Sequence, residues 1–439
     1  MARKRTRAPL HVYLNGRLVG QLQRETSGAT HFQYDESWLI WDKTFPVSLS
    51  LPLREDRYVG DPVIAVFDNL LPDNADVRRR VAARSGADGI DPYSLLSAIG
   101  RDCVGALQFL PDGVDPGKAG EINSAPISDD EIAQMLSNLA TAPLGIGDDQ
   151  EFRISIAGVQ DKTALLRIDD TWHVPHGTTA TTHILKPQIG QRDNYDLTRS
   201  VENEHMCLEI LGALDLPVAR TNIADFGDTR ALVIERFDRQ WTTSGRLLRV
   251  PQEDCCQALS CPPTRKYQSD GGPGMADIFE FLKASDDPVY DQFIFMKAQI
   301  AFWLLGAIDG HAKNFSLFSH PGGGFQLTPL YDVMSAQHLL DDMSLQRKNM
   351  KLAMSVGNNK HYRVHEIQPR HFKQSADGAG LADGMVELAL NQVSDTLPGA
   401  IATVSNSLPE DFPEALRDSI AEGALKRCGT IANDLKTMH

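Results

Sequence analysis

The stretch Phe302-Trp-Leu-Leu-Gly-Ala-Ile-Asp309-Gly-His311-Ala-Lys313-Asn314-Phe-Ser316 decides how the rest of the chain reads. An apolar helical run ends at a glycine and hands over to a tight loop carrying Asp309, His311, Lys313 and Asn314. Phosphoryl transfer requires a carboxylate near the acceptor hydroxyl and an amide or carboxylate oxygen to hold Mg²⁺. The five-residue interval from Asp309 to Asn314 equals the D-x-x-x-x-N interval of a kinase catalytic loop. Phe315-Ser-Leu-Phe318, a turn at Gly322-Gly323-Gly324 and Phe325-Gln-Leu-Thr328 then predict a hairpin, after which Pro329-Leu-Tyr-Asp332 brings a second acid. That hairpin would return Asp332 to face Asn314 across one magnesium site. Alone, Asp309 is a helix cap and Asp332 a turn residue. As the ordered set Asp, Asn, hairpin, Asp, they favour catalysis.

Working outward, His183-Ile-Leu-Lys186 ends an apolar strand in a lysine, and Glu204 follows on a helix face shared with Cys207, Leu208 and Leu211. A carboxylate buried there unpaired is costly. A Lys186–Glu204 pair relieves the cost and aims the ammonium at nucleotide phosphates, although a solvated lysine fits the strand end as well. Ala231-Leu-Val-Ile-Glu235-Arg236-Phe237-Asp238 is a buried-type strand running into charge, either a hinge for an adenine base or an ordinary strand end. Ser155-Ile-Ala157-Gly158-Val159-Gln160-Asp161-Lys162 is neither G-x-G-x-x-G nor the Walker G-x-x-x-x-G-K-[ST]. Its small-residue turn can still present backbone N–H groups and the Lys162 ammonium to phosphates. Asp270-Gly-Gly-Pro-Gly274, ahead of a helix at Met275 to Lys283, reads as a loop and cap.

Composition bounds these readings. The chain has 439 residues, 42% hydrophobic and 23% charged, which suits several globular domains. No apolar run reaches the ~18 residues of a membrane span, and the apolar stretch after the basic N-terminus is too short for a signal peptide, so a cytoplasmic protein without membrane contact is expected. The six cysteines lack C-x-x-C spacing and read as reduced, mostly buried thiols. A net charge of −15 argues against strong nucleic-acid binding by the chain alone.

Pattern and punctuation predict an α+β protein, bilobal and protein-kinase-like, with a β-rich N-terminal part and a helical C-terminal lobe. The expected divisions are 1–115, a β-rich module; 116–240, a lobe with the phosphate loop and hinge; and 241–439, a helical lobe. Within the first, Val12 to Leu22 reads as a hairpin turned at Asn15-Gly16, Val47 to Leu53 as a strand, and Val63 to Ala83 as helix interrupted at Leu71-Pro72.

Taken together, Ser-Ile-Ala-Gly-Val-Gln-Asp-Lys-Thr-Ala-Leu-Leu, Thr-His-Ile-Leu-Lys, Glu-Arg-Phe-Asp-Arg, Pro-Gln-Glu-Asp-Cys-Cys-Gln, Asp-Gly-His-Ala-Lys-Asn-Phe-Ser and Pro-Leu-Tyr-Asp-Val resemble, in order, the motifs of the HipA family of bacterial toxin kinases. Phe67-Asp-Asn-Leu-Leu-Pro72 extends the resemblance over nearly the whole chain. It implies a serine/threonine kinase using ATP and Mg²⁺, a glutamyl-tRNA synthetase as protein substrate, growth arrest and persistence. It also implies a HipB-like helix-turn-helix antitoxin through which the chain joins operator DNA as a corepressor. The family roles fall on Asp309 as base, Asn314 and Asp332 as magnesium ligands, and His311 and Lys313 at the nucleotide. Lys186 and the loop Ala157 to Lys162 would meet the phosphates, and Glu235, Arg236 and Phe237 the nucleotide, with Glu235 and Phe237 at the adenine. Ser155 matches the autophosphorylated serine whose modification ejects the loop.

Asp161 departs from a family glutamate, and the segment Met343 to Met350, with Arg347 and Lys348 and then Lys351, departs from the family where a protein substrate would dock. The cluster Arg363, Arg370, His371 and Lys373 is the basic patch best suited to DNA, although a solvated face is the favoured reading of it. Two other readings compete: a small-molecule kinase, which shares the Asp–Asn–Asp logic, and a catalytically dead corepressor, against which the intact acids speak.

Overall fold

Asn15 and Gly16 both take positive φ, +47° and +79°, and so turn strand β1 (Leu10–Leu14) into β2 (Arg17–Arg24). That is the conformation an Asn-Gly hairpin requires. A computed structural model describes residues 7–145, 154–158, 160–192 and 194–435. Leu10, Val12 and Leu14 alternate into the core, and β3 (Thr30–Tyr34), β4 (Tyr58–Val59) and β5 (Leu107–Pro111) complete an antiparallel sheet in the order β4-β3-β2-β1-β5. Helix Asp61–Asp68, the break at Leu70-Leu71-Pro72 and helix Ala75–Ser85 match the expected interrupted helix. Asn74 caps the second helix at its start, and Gly86, at φ +70°, ends it.

The expected strand at Val47 to Leu53 does not form. Pro46 precedes the segment and Pro52 lies within it, and its polar groups turn to Glu253 and Gln257 instead of a neighbouring strand. The Ser48 hydroxyl donates to Glu253 Oε2 at 2.5 Å, the Leu49 N–H to Oε1 at 2.8 Å, and the Ser50 hydroxyl to the Gln257 carbonyl at 2.7 Å. Burial pushes the Glu253 carboxyl up to about 8, against the lowering effect of those two donors. The folded chain therefore holds a proton that the unfolded chain releases near its ordinary, lower value. This site's contribution to stability should be fully present in acid, decline as pH rises through neutrality, and level off above about 8. Glu253→Gln, which imitates the protonated form, should gain in urea midpoint over the parent as pH rises from 5.5 to 8.5. A constant difference across that range would refute the titration.

A second sheet contains β6 (Ser124–Pro126), β7 (Thr163–Ile168), β8 (Thr171–Pro175), β9 (His183–Pro187), β10 (Thr221–Phe226) and β11 (Thr229–Glu235), in the order β10-β11-β9-β7-β8-β6. Ala231 to Ile234 are all buried, as the apolar run of β11 requires.

The chain forms two units: Met1–Pro187, Ala224–Thr264 and Leu317–Phe325 in the first, and Gln188–Ile223, Arg265–Ser316 and Gln326–His439 in the second. The second is mainly helical. Helix Met385–Ser407 packs against Pro288–Leu305, Ser200–Ala213 and Glu414–Leu435. Pro288–Leu305 starts at the Asp287 cap with proline in its first turn, and is buried nearly all round. The fold is thus mixed α+β, with β-rich N-terminal sheets and a helical C-terminal region. All six cysteines are buried thiols outside any disulfide. Among the described residues no helix is long and apolar enough to cross a membrane.

Candidate active site

Helix Pro288–Leu305 ends at Gly306, whose φ of +67° lets the Ala307 N–H turn back to the Phe302 carbonyl at 2.9 Å. This closure projects Ile308 to Asn314 as a compact loop. The Asp309 carbonyl organises it, accepting the His311 N–H and the Asn314 side-chain N–H, each at 2.8 Å. Asn314 thereby commits its amide nitrogen inward. The Asp309 carboxylate is 56% exposed, and its Oδ1 accepts the Tyr267 hydroxyl at 2.5 Å. His311 is buried, edge-on to Tyr267 with ring centroids 4.8 Å apart, and its Nε2 lies 4.0 Å from Asp309 Oδ1.

The expected hairpin is present as Ser316–Ser319 and Phe325–Leu327, with Gly322 and Gly323 at positive φ between them. Beyond it the Thr328 N–H returns to the Ser316 carbonyl at 2.9 Å. The Tyr331 hydroxyl then reaches the Lys313 carbonyl at 3.0 Å and Ser316 Oγ at 2.6 Å. The neighbour of Asp332 is in this way fastened to the neighbour of Asn314. Asp332 itself sits at φ +58°, a left-handed conformation that few side chains occupy without a local reason. Glu204 is buried on helix Ser200–Ala213.

In the first unit, Ile154 bridges to Asp102, and the Ser155 N–H donates to the Asp102 carbonyl at 2.9 Å. The Ser155 side chain is 0% exposed, and its hydroxyl donates to the Leu70 carbonyl at 2.7 Å. Gly158 bridges to Pro72, and its carbonyl accepts the Asp73 N–H at 3.3 Å. The N-terminal Phe67-to-Pro72 motif therefore holds the loop in place. Gly158 has φ +113°, a backbone conformation that favours glycine, and a Cβ there would lie 2.5 Å from Lys162 Nζ and push that ammonium aside. Lys162 is buried, its ammonium donating to the Ala157 carbonyl at 3.0 Å. Gln160 Nε2 donates to the Pro187 carbonyl at 3.0 Å, and Asp161 lies 3.9 Å from Arg80. Val159 lies outside the described residues. Lys186 is buried on β9 opposite Leu232, and belongs to the first unit where Glu204 belongs to the second.

The segment after β11 departs from expectation at one residue. Glu235 is exposed opposite His183, and Phe237 meets Phe318 edge-on at 5.7 Å. Arg236, expected at the nucleotide, instead turns its guanidinium into a closed ion cluster. It reaches Asp238 at 2.8 Å and Asp102 at 3.3 Å, while Arg239 and Arg249 each approach Asp102 at 2.9 Å. Burial alone would raise the Asp102 carboxyl. Arg239, Arg249 and Arg236 overcome it and hold that carboxyl far below the usual carboxylate range. Removing one charge from such a cluster strands the others, so Arg236 is structural. Periodicity hid this cluster because its members are scattered from Asp102 to Arg249.

In the basic cluster, most charges have partners. Arg363 pairs with Glu366 at 2.7 Å, Lys373 pairs with Glu387, and His371 is buried against His361, their rings stacked at 3.9 Å. Arg370 is exposed in the first turn of helix Pro369–Ala379. Nearby carboxylates thus take up most of the charge the patch would offer DNA.

Residues 10–110 match the model of the HipA N-terminal domain, and residues 154–401 the model of the HipA-like C-terminal domain. The chain belongs to the HipA family. Similar to this HipA-family chain are a putative kinase of Sinorhizobium fredii, 33% identical over 94% of this chain and 96% of the relative, and a serine/threonine-protein kinase toxin HipA of Shewanella oneidensis, 28% identical over 91% and 90%. The solved structure of Shewanella oneidensis HipA, in a complex with HipB and its operator DNA, superimposes with a TM-score of 0.81 at 26% identity, covering 97% of this chain and 98% of that one.

Proposed function

We propose that this HipA-family chain is an ATP-dependent serine/threonine kinase with a bilobal kinase-like fold, and the toxin of a toxin–antitoxin module. One observation carries the reading: a half-exposed Asp309 carboxylate in a loop whose Asn314 amide is locked by the Asp309 carbonyl. An acceptor hydroxyl on Asp309 would be oriented and relieved of its proton there.

The residues present fit the nucleotide and its cation. Asn314 and Asp332 offer hard oxygen donors of the kind magnesium prefers. Gly158, at φ +113°, brings the loop backbone close beside the Lys162 ammonium. Asn314 and Asp332 would hold the cation, Lys162, Lys186 and the N–H groups of the Ala157–Lys162 loop the phosphates, and Glu235 and Phe237 the adenine. His311 and Lys313 would line the nucleotide. Bound Mg-ATP supplies the phosphoryl group and, through the metal, the countercharge its oxygens need.

A protein substrate is assigned, with glutamyl-tRNA synthetase the one the family implies. Phosphopeptide mass spectrometry after incubating the chain with Mg-ATP and a bacterial lysate tests this, and label found only in metabolites would point to a small-molecule kinase. For a partner we assign a basic helix-turn-helix protein of the HipB kind. A chain of net charge −15 gains little from phosphate attraction, so in a gel shift it should bind operator DNA weakly alone and join it readily with the antitoxin. Equal affinity of the isolated chain and the complex would contradict that division of labour.

A further inference from the structure

The glycine cluster Asp270-Gly-Gly-Pro-Gly274, a loop and cap in the sequence, builds something more specific. The Tyr267 carbonyl accepts the Asp270 N–H at 3.0 Å and the Gly272 N–H at 2.9 Å. A Cβ at Gly272 would fall 1.8 Å from the Arg265 carbonyl and 2.8 Å from the Tyr267 carbonyl, so the loop closes this tightly only with glycine there. Gln268 Oε1 accepts the Ser355 N–H at 2.6 Å, anchoring the loop to strand Lys351–Val356. The residue held by this construction is Tyr267, and its hydroxyl donates to Asp309 Oδ1 at 2.5 Å. Its ring is supported from two sides, edge-on by His311 at 4.8 Å and by the Lys266 ammonium at 5.6 Å.

We propose that Tyr267 is a positioning residue for phosphotransfer, its hydroxyl fixing the Asp309 carboxylate through Oδ1 so that Oδ2 meets the acceptor hydroxyl. The inference rests on the reading of Asp309 as base. A carboxylate on a loop, more than half exposed, otherwise rotates about its terminal torsion, where the energy wells are broad. A charge-assisted O–H···O⁻ bond of this length stops that rotation. A phenol suits the task because it stays protonated at neutral pH, so it donates to the base without competing for the proton. Positioning of this kind acts on turnover and leaves nucleotide affinity alone, since Tyr267 is not among the groups assigned to ATP.

The test uses the full chain, with itself and dephosphorylated casein as acceptors. Tyr267→Phe keeps the ring and its supports and removes only the hydroxyl. We expect the turnover number for transfer to fall about 10- to 100-fold, the loss of one hydrogen bond to a charged group. The dissociation constant of a fluorescent ATP analogue should stay within about twofold, and the melting temperature should be unchanged. Gln268→Ala, which loosens the loop without touching Asp309, should lower turnover several-fold in the same pattern. Asp309→Gln, run beside them, separates the two ideas. If it abolishes transfer while Tyr267→Phe transfers at the parental rate, positioning by Tyr267 is wrong and the base assignment stands. If Asp309→Gln transfers normally, the base assignment falls and this inference with it. A fall in ATP affinity matching the fall in turnover would make Tyr267 a merely structural residue and overturn the proposal.

Discussion

Asp309→Gln should reduce phosphotransfer by about 1,000-fold, the scale of losing a positioned general base, with the fold intact. The fold should survive because what holds the loop together is the Asp309 backbone carbonyl, which accepts from His311 and Asn314 whatever the side chain is. The amide of glutamine neither takes a proton nor carries the charge that orients an acceptor hydroxyl. Its extra methylene also displaces the group from Tyr267. Asp332→Asn should act differently, weakening Mg-ATP binding together with turnover, since one ligand charge disappears from the assigned cation site. Titration with a fluorescent ATP analogue at varied magnesium, beside single-turnover transfer, distinguishes the two variants. Near-parental transfer by purified Asp309→Gln would remove Asp309 from the mechanism.

The second large effect is expected at Ser155. Its hydroxyl is fully buried and donates to the Leu70 carbonyl, so the site around Oγ presents an acceptor. Ser155→Asp turns the donor into an anion facing that carbonyl. A buried charge without a partner costs several kcal/mol, which the loop escapes by leaving its seat against Leu70, Pro72 and Asp102. The cradle at Gly158 and Lys162 leaves with it, and ATP affinity should drop on the order of 100-fold, equivalent to about 3 kcal/mol. A phosphoserine, with about −1.5 to −2 charges, should do at least as much. Ser155→Ala, by contrast, loses one hydrogen bond worth about 1 kcal/mol and should bind ATP nearly as well as the parent, while losing the autophosphorylation expected at this serine. Phosphorylation of Ser155 would also require the loop to open first, because a fully buried hydroxyl is out of reach of any base. Phosphorylated chain that binds ATP as tightly as unmodified chain would rule the mechanism out.

Much of this protein was legible in the amino-acid order because the physics involved is local. The Asn15-Gly16 hairpin, the break at Leu71-Pro72, the end of the long helix at Gly306 and the hairpin between Asn314 and Asp332 each depend on residues a few positions apart. Turn chemistry and apolar periodicity report such features directly. The spacing of Asp309, Asn314 and Asp332 belongs to the same class, since a helix end and a short hairpin leave the chain few ways to arrange them. What only the tertiary structure decided involves polar groups satisfied across long separations. Val47 to Leu53 carries a strand's residues, but Glu253, some 200 positions later, takes its donors, so no ladder forms. Arg236 stands in a nucleotide-like motif, yet Asp102 and Asp238 draw it inward. Lys373 reads as part of a basic patch until Glu387 meets it. Tyr267 carries no signal in its own neighbourhood beyond the glycines behind it. Its meaning comes from a carboxylate 42 residues away, because a buried or half-buried polar group is satisfied by whatever the fold brings near, and chain order does not say what that will be.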